Sequence, residues 1–321
     1  MRVIFMGTPE AAVPTLLRLL QSEHEIVAVF TQPDRPVGRH RVLTPPPVKQ
    51  VAQAHGIPVH QPEKLRTNEE IRATLHALAP DVIVVVAYGK ILPAWVLNLP
   101  PLGCVNVHFS LLPKYRGAAP VQWAIAMGET VTGVTTMLMD EGVDTGPILL
   151  QRACAIGPDE TAPELTERLA QLGAELALET LAGIHAGRIH PRPQDEAQAS
   201  QAPLLRREHG WVDWRLSAEE IRNRIRGFQP WPGAWTRLGD ARLILWRAQA
   251  EARVSEEEAR LAPGTISAIE RDAFVVVCGA GSRLRLTEVQ LEGRRRMPAR
   301  EFLKGARLSV GLRLGGGEPS P

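Results

Sequence analysis

The chain has 321 residues, 44% apolar and 22% charged, with a formal net charge of +2 at pH 7, a composition and length typical of a soluble globular protein with more than one domain. No apolar run reaches the roughly 20 residues that span a bilayer, the N-terminus lacks a signal-peptide pattern, and the three cysteines are scattered, which argues against a disulfide framework. We therefore expect a cytoplasmic monomer with no membrane partner and no bound metal.

The first half of the chain alternates strand-like apolar runs with helical patterns. The predicted strands cover residues 2–6, 26–31, 57–59, 81–87, 104–107, 131–139 and 147–156, and the predicted helices cover residues 14–20, 48–55, 68–78, 118–127 and 163–186. This alternation is typical of a doubly wound, Rossmann-like α/β domain with parallel strands, and we place it at residues 1–187. Thr8 is the expected cap of the first helix. Gly7 stands alone where a dinucleotide-binding turn needs three spaced glycines, so bound NAD is not expected.

Residues 32–47 interrupt this alternation with a segment rich in proline, glycine and arginine. They carry Arg35, Arg39, His40 and Arg41 within seven positions. Such a segment is expected to form no packed element and to stay mobile until an anion orders it. One interpretation is a solvated surface loop, and the other is a loop that binds the phosphates of a flexible nucleic-acid end.

Candidate chemistry is concentrated between residues 103 and 120. Asn106 and His108 are two positions apart at the end of a predicted parallel strand, so their side chains share a face at the edge where such sheets bind ligands. An amide and an imidazole there can donate hydrogen bonds to a carbonyl oxygen that becomes an oxyanion. Taken alone, a structural histidine beside a turn asparagine is an equally good interpretation. A second loop supplies three carboxylates that could orient the imidazole and accept a proton, those of Asp140, Glu141 and Asp144.

The composition changes after residue 187. Residues 188–205 hold several prolines and little apolar content, which indicates a linker. Residues 206–315 have one helix capped by Ser217 and five short strands, predicted at 234–238, 241–246, 264–268, 273–278 and 284–291, a pattern that favours an OB-like β-barrel. Residues 206–321 hold 21 Lys or Arg and 15 Asp or Glu, against 16 and 20 in residues 1–205. A basic domain suits a polyanion, although proteins that bind none can also be modestly basic.

Several long motifs in this sequence resemble those of the folate-dependent formyltransferases. They are VIFMGTPE, FTQPDRPVGR, VVVAYGKILP, NVHFSLLPKYRGAAP, MDEGVDTGP and FQPWPGAW. The resemblance implies a catalytic set of Asn106, His108 and Asp144. It also implies that folate binds between a loop and an apolar rim, formed by Ser110, Leu111, Leu112 and Pro113 and by Tyr88, Gly89, Ile91 and Leu92. Phe109 is a departure, since many relatives carry glycine at that position.

The whole chain resembles the branch of this family whose acceptor is a transfer RNA. In that branch a loop at the position of residues 32–47 enters the acceptor arm, and Arg39 matches its main arginine. The tRNA contacts that we expect are Arg35, Arg39, Arg41, Lys114, Arg116, Arg222 and Arg226. His40 and Arg41 replace the glycine and lysines of many relatives, and no lysine is present near Leu204.

The activity implied by this resemblance is transfer of the formyl group of 10-formyltetrahydrofolate to the α-amino group of methionyl initiator tRNA. The product, N-formylmethionyl-tRNA, serves translation initiation. Two alternatives stay open: the same chemistry on glycinamide ribonucleotide, an amino sugar or water, and a binding module that has lost catalysis. The arginine-rich insertion and the basic second half argue against the first alternative, and the presence of all three catalytic residues argues against the second.

Overall fold

The structure, a computed structural model, describes residues 1–38, 41–252 and 255–315. The chain divides into two compact units. The first unit comprises Met1–Pro120, Val131–Ala155 and Thr166–Ala202, and the second comprises Val121–Thr130, Ile156–Leu165 and the chain from Pro203 onward. These units are defined by contacts between residues, and each contains segments from different parts of the chain. The domain boundaries expected at residues 187 and 205 therefore stay a prediction.

The first unit is built on a seven-stranded sheet and a separate two-stranded hairpin. The strands are β1 (Arg2–Gly7), β2 (Glu25–Phe30), β3 (Arg35–Val37), β4 (Val42–Thr44), β5 (Val59–His60), β6 (Val82–Val86), β7 (Cys104–His108), β8 (Val131–Leu138) and β9 (Ile148–Ala155). The order in the large sheet is β5-β2-β1-β6-β7-β8-β9. Its first five strands are parallel, as predicted. Strands β8 and β9 are antiparallel. An apolar run does not predict strand direction, because such a run can be buried in a parallel or in an antiparallel strand.

The helices that alternate with these strands are α1 (Val13–Leu20), α2 (Pro47–Ala54), α3 (Glu69–Leu78), α4 (Ala94–Leu97), α5 (Pro120–Ala126) and α6 (Ala162–His185). Strand β6 is buried along its whole length, as expected for a central parallel strand. An apolar core cluster joins Ile4, Phe30, Leu75, Ile83 and Cys104. This packing fixes β6 and its neighbour β7, whose carboxyl ends carry the candidate site.

The expected helix cap at Thr8 is wrong. The first helical turn is a short 3-10 segment, Glu10–Ala12, preceded by Pro9, and no side chain caps it. The Thr8 hydroxyl instead donates a hydrogen bond to the carbonyl oxygen of Tyr88 at 3.0 Å. It thereby ties the turn after β1 to the turn after β6, a long-range contact that local sequence patterns do not reveal.

The insertion at residues 32–47 contains the antiparallel hairpin of β3 and β4. The hairpin is hydrogen-bonded along its backbone without being packed, since Val42 and Leu43 are 61% and 64% exposed. At its base, Asp34 accepts hydrogen bonds from Lys49 Nζ at 2.8 Å and from Gln61 Nε2 at 2.7 Å. Arg39 and His40, which we singled out in the sequence, lie outside the described residues.

The second unit is rich in strands. Besides most of α5 and the first residues of α6, it contains α7 (Ala218–Gly227), β10 (Ala234–Leu238), β11 (Ala241–Glu251), β12 (Ile266–Ile269), β13 (Phe274–Val277), β14 (Arg283–Leu291), β15 (Met297–Pro298) and α8 (Ala299–Gly305). The sheet is antiparallel with the order β10-β11-β14-β13-β12, and β15 pairs with β14. In the described ranges no ladder joins β10 to β12, so closure into a barrel is not seen. The predicted cap is confirmed, because Ser217 and Glu220 form a reciprocal capping box.

The second unit has an apolar core of its own. It joins residues of α7, the sheet and α8, among them Ile221, Leu243, Phe274, Leu286 and Phe302. Across the part of the chain that the structure describes, no helix is both long enough and apolar enough to cross a membrane.

Candidate active site

Strand β7 carries two of the three candidate catalytic residues. It is paired on both edges, with Asn106 opposite Val85 of β6 and His108 opposite Thr135 of β8. Asn106 and His108 are alternate residues of this strand, so their side chains project from the same face, as expected. His108 is 6% exposed and Asn106 is partly exposed. Because β7 is held on both sides, its backbone gives the two side chains a fixed spacing.

The carboxylate of Asp144 lies within reach of both side chains. Its Oδ1 accepts a hydrogen bond from Asn106 Nδ2 at 3.3 Å, and its Oδ2 is 3.6 Å from Nδ1 of His108. The backbone N–H of Gly117 donates to Oδ2 at 2.8 Å. Asp140, by contrast, accepts hydrogen bonds from within its own loop. Asp144 is therefore the carboxylate of this loop that faces the imidazole.

A backbone carbonyl fixes the other side of the His108 ring. Nε2 lies 2.9 Å from the carbonyl oxygen of Tyr115. A carbonyl oxygen only accepts, so Nε2 carries the hydrogen and Nδ1 is the ring atom that faces Asp144. Tyr115 has a φ of +62°, and its N–H donates to Ser200 Oγ at 2.9 Å. A proton taken up at Nδ1 would therefore meet the carboxylate directly.

The expected folate loop is held in place by side chains of β8 and β9. Thr135 Oγ1 donates to the Ser110 carbonyl at 2.7 Å and accepts from the Leu112 N–H at 3.1 Å. Gln151 Nε2 donates to Thr135 Oγ1 at 3.0 Å and to the Leu112 carbonyl at 2.8 Å. The side chains of the loop are buried at Ser110 and Leu112 and partly exposed at Leu111 and Pro113. The loop is thus anchored through its backbone, independently of any ligand.

The expected rim of the folate site follows strand β6. The side chains of Tyr88 and Leu92 are 1% and 3% exposed, whereas Ile91 is 78% exposed and Gly89 is also exposed. The Tyr88 carbonyl accepts a hydrogen bond from Gln32 Nε2 at 3.0 Å. Burial raises the pKa of the Tyr88 hydroxyl, which has no hydrogen-bond partner among the described residues. Gly89 and Ile91 are therefore the rim residues that offer accessible surface to a flat heterocycle.

The expected tRNA contacts divide into exposed and buried cations. Three are exposed: Arg35, Arg41 and Lys114. Arg39 lies outside the described residues. Arg116 is 3% exposed, and its guanidinium donates to Gln194 and Glu196 at distances between 2.7 and 3.0 Å. A buried guanidinium needs acceptors of its own and has them here, so the structure does not support the expected tRNA contact of Arg116, which stays a prediction.

Arg222 and Arg226 are also held by acceptors within their unit. Arg222 donates to the carboxylates of Asp159 at 2.6 Å and Glu219 at 2.8 Å. Arg226 is 9% exposed and donates to Asn223 Oδ1 at 3.0 Å and to two backbone carbonyls. Burial and the neighbouring Arg222 charge lower the pKa of Arg226. Both guanidinium groups already donate to the protein's own acceptors, so the structure does not support the expected tRNA contacts of these two arginines, which stay a prediction.

Two residues of the expected linker contact the candidate site, and neither was predicted from the sequence. Gln194 Nε2 donates to the carbonyls of Asp144 at 2.8 Å and Gly146 at 2.7 Å. Ser200 accepts from the N–H of Tyr115 through its hydroxyl oxygen. Both are polar residues in a polar, proline-rich segment, so nothing in their spacing distinguishes them from their neighbours.

In the described ranges, no three His, Cys, Asp or Glu side chains are grouped so as to hold a metal ion. The arrangement around β7 offers an amide donor, an imidazole whose Nδ1 carries no hydrogen and faces Asp144, and an oriented carboxylate. Such a set can stabilise negative charge on a carbonyl oxygen and can take a proton from an incoming nucleophile.

Both halves of the sequence match known protein families. The family described as "Formyl transferase" matches residues 1–181. The family described as "Formyl transferase, C-terminal domain" matches residues 204–307. Asn106, His108 and Asp144 lie inside the first match. Gln194 and Ser200 lie between the two matched ranges.

Two relatives support this assignment, and a solved structure shares the fold. A protein of Acidobacterium capsulatum named methionyl-tRNA formyltransferase is 55% identical over 98% of this chain and 100% of its own length. A protein of the same name from Trichlorobacter lovleyi is 54% identical over 98% of this chain and 96% of its own. The N-formyltransferase of Helicobacter canadensis, solved with folinic acid and dTDP-3-aminofucose, shares the fold with a TM-score of 0.66 and 18% identity over 88% of this chain and 98% of that chain. The chain therefore belongs to the formyl transferase family, alongside relatives named methionyl-tRNA formyltransferase.

Proposed function

We propose that this chain transfers the formyl group of 10-formyltetrahydrofolate to the α-amino group of methionyl initiator tRNA, yielding N-formylmethionyl-tRNA for translation initiation. The observation that carries the proposal is the convergence of Asn106, His108 and Asp144 at the carboxyl end of β7, with side-chain atoms 3.3 and 3.6 Å apart. Support comes from relatives that are 55% and 54% identical over 98% of the chain and carry the name of this activity.

The first task of the site is to stabilise the oxyanion that forms when the α-amine attacks the formyl carbon. Asn106 Nδ2 has two hydrogens, and Asp144 Oδ1 accepts one of them. The second hydrogen can therefore be donated to the developing oxyanion. His108, once protonated, adds a positive charge on the same face of β7. Removing one preorganised donor of this kind costs roughly 10²- to 10³-fold in turnover.

The second task is to move a proton from the amine to the leaving group. Asp144 faces Nδ1 of His108, so the pair can accept the proton that the amine loses as the new C–N bond forms. The bond between the formyl carbon and N10 of the folate then breaks, and N10 takes up a proton. The amine has exchanged one hydrogen for the formyl group, and the folate has gained that hydrogen.

For tRNA, we propose that exposed cations of the first unit bind it and that the second unit, by itself, also binds it. Arg35 and Arg41 lie on the exposed hairpin, and Lys114 follows the folate loop. The excess of Lys and Arg in residues 206–321 supports a role in binding a polyanion. In this proposal the second domain is an OB-like barrel, and the enzyme acts as a monomer in the cytoplasm.

The test is a panel of acceptors. The full-length chain is incubated with 10-formyltetrahydrofolate and, in separate reactions, with methionyl initiator tRNA, free methionine, glycinamide ribonucleotide, an amino-sugar nucleotide or no acceptor. Mass spectrometry then quantifies the formylated products and free formate. We expect the aminoacyl-tRNA to be formylated far faster than the small acceptors. Faster transfer to a small acceptor or to water would overturn the proposed acceptor, and no transfer at all would overturn the proposed activity.

A further inference from the structure

A connected chain of hydrogen bonds runs from Arg116 through the linker to the candidate active site. Arg116 Nε and Nη2 donate to Gln194 Oε1 at 3.0 and 2.8 Å. Gln194 Nε2 then donates to the carbonyl oxygens of Asp144 and Gly146 at 2.8 and 2.7 Å. A guanidinium only donates and a carbonyl only accepts, so exchanging the oxygen and nitrogen of this amide would break all four contacts. The orientation of the Gln194 amide is therefore determined by its partners.

The backbone of Asp144 adopts a conformation that needs such support. Its φ is +55°, in the left-handed region that is unfavourable for residues other than glycine. Two positions later, a Cβ atom at Gly146 would collide with the carbonyl oxygen of Leu138. The loop is thus both strained and tightly packed against the end of β8. One side-chain amide that bonds two carbonyls of this turn holds it in place.

The conformation of the loop decides where the Asp144 carboxylate points. In the observed conformation Oδ1 accepts from Asn106, and Oδ2 accepts from Gly117 and faces His108. Relaxation of φ to an ordinary value would turn the side chain away from these groups. The four hydrogen bonds of Gln194 described above are with Arg116 and with backbone carbonyls, and none of the four is with a candidate catalytic side chain.

We propose that Gln194 is a positioning residue, whose side-chain amide holds the Asp144 loop so that the carboxylate faces Asn106 and His108. This inference rests on the catalytic role proposed above for Asp144. Glu196 supports the arrangement, because its two carboxylate oxygens accept from Arg116 at 2.8 and 2.7 Å and keep the guanidinium aligned with Gln194. In this proposal a residue of the segment whose composition indicates a linker contributes to catalysis.

Three substitutions in the full-length chain separate positioning from packing. Gln194→Met keeps the approximate size of the side chain and removes all four hydrogen bonds. Gln194→Glu keeps an acceptor for Arg116 but sets carboxylate oxygens against two carbonyl oxygens. Gln198→Met is the matched control, because Gln198 is exposed in the same segment and its amide donates to Asp195. For each variant, kcat for formyl transfer and KM for folate and for tRNA are measured.

Both Gln194 variants lose the two hydrogen bonds to the carbonyls of Asp144 and Gly146, so we expect each to lower kcat roughly 10- to 100-fold, with little change in either KM. Gln198→Met should behave as the unsubstituted chain. In an Asp144→Asn background, Gln194→Met should cause little further loss, because positioning acts through the carboxylate. Normal turnover of Gln194→Glu, or an undiminished further loss in the Asp144→Asn background, would overturn the proposal.

Hydrogen–deuterium exchange separates a failure of this inference from a failure of the proposed function, because it needs no turnover. Amides in residues 140–146 should exchange about tenfold faster in Gln194→Met than in the unsubstituted chain and at an unchanged rate in Gln198→Met. If the unsubstituted chain transfers no formyl group, the proposed function fails, while the exchange rates still decide whether Gln194 holds the loop. Equal rates in the unsubstituted chain and in Gln194→Met would overturn the positioning role.

Discussion

At the scale of single residues, the orientation of the Asp144 carboxylate depends on the backbone of Asp144 as well as on the contacts of its side chain. Its carboxylate is aimed by a left-handed backbone, and its two oxygens are engaged by Asn106 and Gly117. A freely rotating aspartate would sample many orientations relative to His108. Holding one of them removes an entropic cost from the reaction, and misplacement by a small distance can lower turnover substantially.

Asp144→Asn keeps the size of the side chain but replaces an acceptor oxygen with an amide donor. We expect turnover to fall about 10²- to 10⁴-fold, the usual contribution of a positioned acid or base, with binding of folate and tRNA retained. Glu141→Gln, at an exposed position of the same loop, is the control and should leave turnover unchanged. Similar turnover in the two variants would remove Asp144 from the proton-transfer step.

Arg116→Lys tests the buried cation. Lysine keeps the charge but cannot supply the planar set of donors that reaches both Gln194 and Glu196. We expect the unfolding free energy to fall by about 2 to 4 kcal/mol, measured from the shift of the urea midpoint. Arg18→Lys is the control, because Arg18 pairs with Glu175 at an exposed site and should cost less than about 1 kcal/mol. Equal shifts would show that the Arg116 contacts contribute no special stability.

The sequence predicted those features of the site that depend on local spacing. Asn106 and His108 share a face of β7 because the side-chain period of a strand is two. The burial of Arg116 was not predicted, because a cation between a proline and a glycine suggests an exposed loop. Its partners Gln194 and Glu196 are 78 and 80 positions away, and pairing over that distance cannot be inferred from one sequence.

At the scale of elements, the hairpin of β3 and β4 presents cations without a packed core. Arg35 and Arg41 are exposed, and the backbone groups of the two strands are paired with each other. Paired strands need no apolar cover to satisfy their backbone hydrogen bonds. The side chains of the hairpin can therefore serve a partner.

Replacing Arg35 and Arg41 together by alanine should raise KM for methionyl-tRNA and leave KM for folate unchanged, because phosphate contacts contribute to the affinity for the polyanion alone. The slope of log KM against log salt should decrease by about two, roughly one for each lost phosphate contact. Arg18→Ala removes an arginine of the same unit that is paired with Glu175 and should alter neither value. An unchanged salt slope in the double variant would show that the hairpin does not contact tRNA.

A short turn in the second unit contains an acid with a shifted pKa. The N–H of Ser255 donates to the Glu258 carboxylate at 2.9 Å, and Arg283 donates to it at 2.8 Å. These contacts lower the pKa of Glu258 to about 2, and the hydrogen bond from the Ser255 backbone has the largest effect. An unfolded glutamate titrates near pH 4.3, roughly. The stabilisation is therefore fully present above that pH and is lost as the pH falls towards 2.

Glu258→Gln should accordingly lower the unfolding free energy by about 2 kcal/mol at pH 7 and by less at pH 3. Urea midpoints at the two pH values measure the difference. Glu257→Gln, at the exposed neighbouring position, should have little effect at either pH. A loss in Glu258→Gln that is the same at pH 7 and pH 3 would contradict a stabilising role for the ionised carboxylate.

Elements with long apolar runs were predicted well, and short or polar elements were not. The strand predicted at residues 81–87 is β6 (Val82–Val86). Strand β11 continues to Glu251, five positions beyond its prediction, because its polar end pairs with β14. The three-residue strands β3 and β4 were missed, since proline and arginine within them conceal any alternation.

At the scale of the whole molecule, the sequence predicted an α/β first half and a strand-rich second half, and both are confirmed. It did not predict that Val121–Thr130 and Ile156–Leu165 belong to the second compact unit, because composition changes along the chain while compactness depends on contacts in space. For the same reason the sequence indicated only a linker at residues 188–205, whereas Gln194 donates a hydrogen bond to the turn that carries Asp144. The OB-like barrel stays a prediction.

The central claim is that side chains at the carboxyl end of β7 catalyse formyl transfer to methionyl-tRNA. The most direct test compares single-turnover transfer rates for the unsubstituted chain, Asn106→Ala and His108→Ala, with tRNA binding measured on the same preparations. We predict tRNA binding of normal strength and transfer rates reduced roughly 10²- to 10³-fold in each variant. Near-normal transfer by either variant, beside an active unsubstituted chain, would contradict the claim.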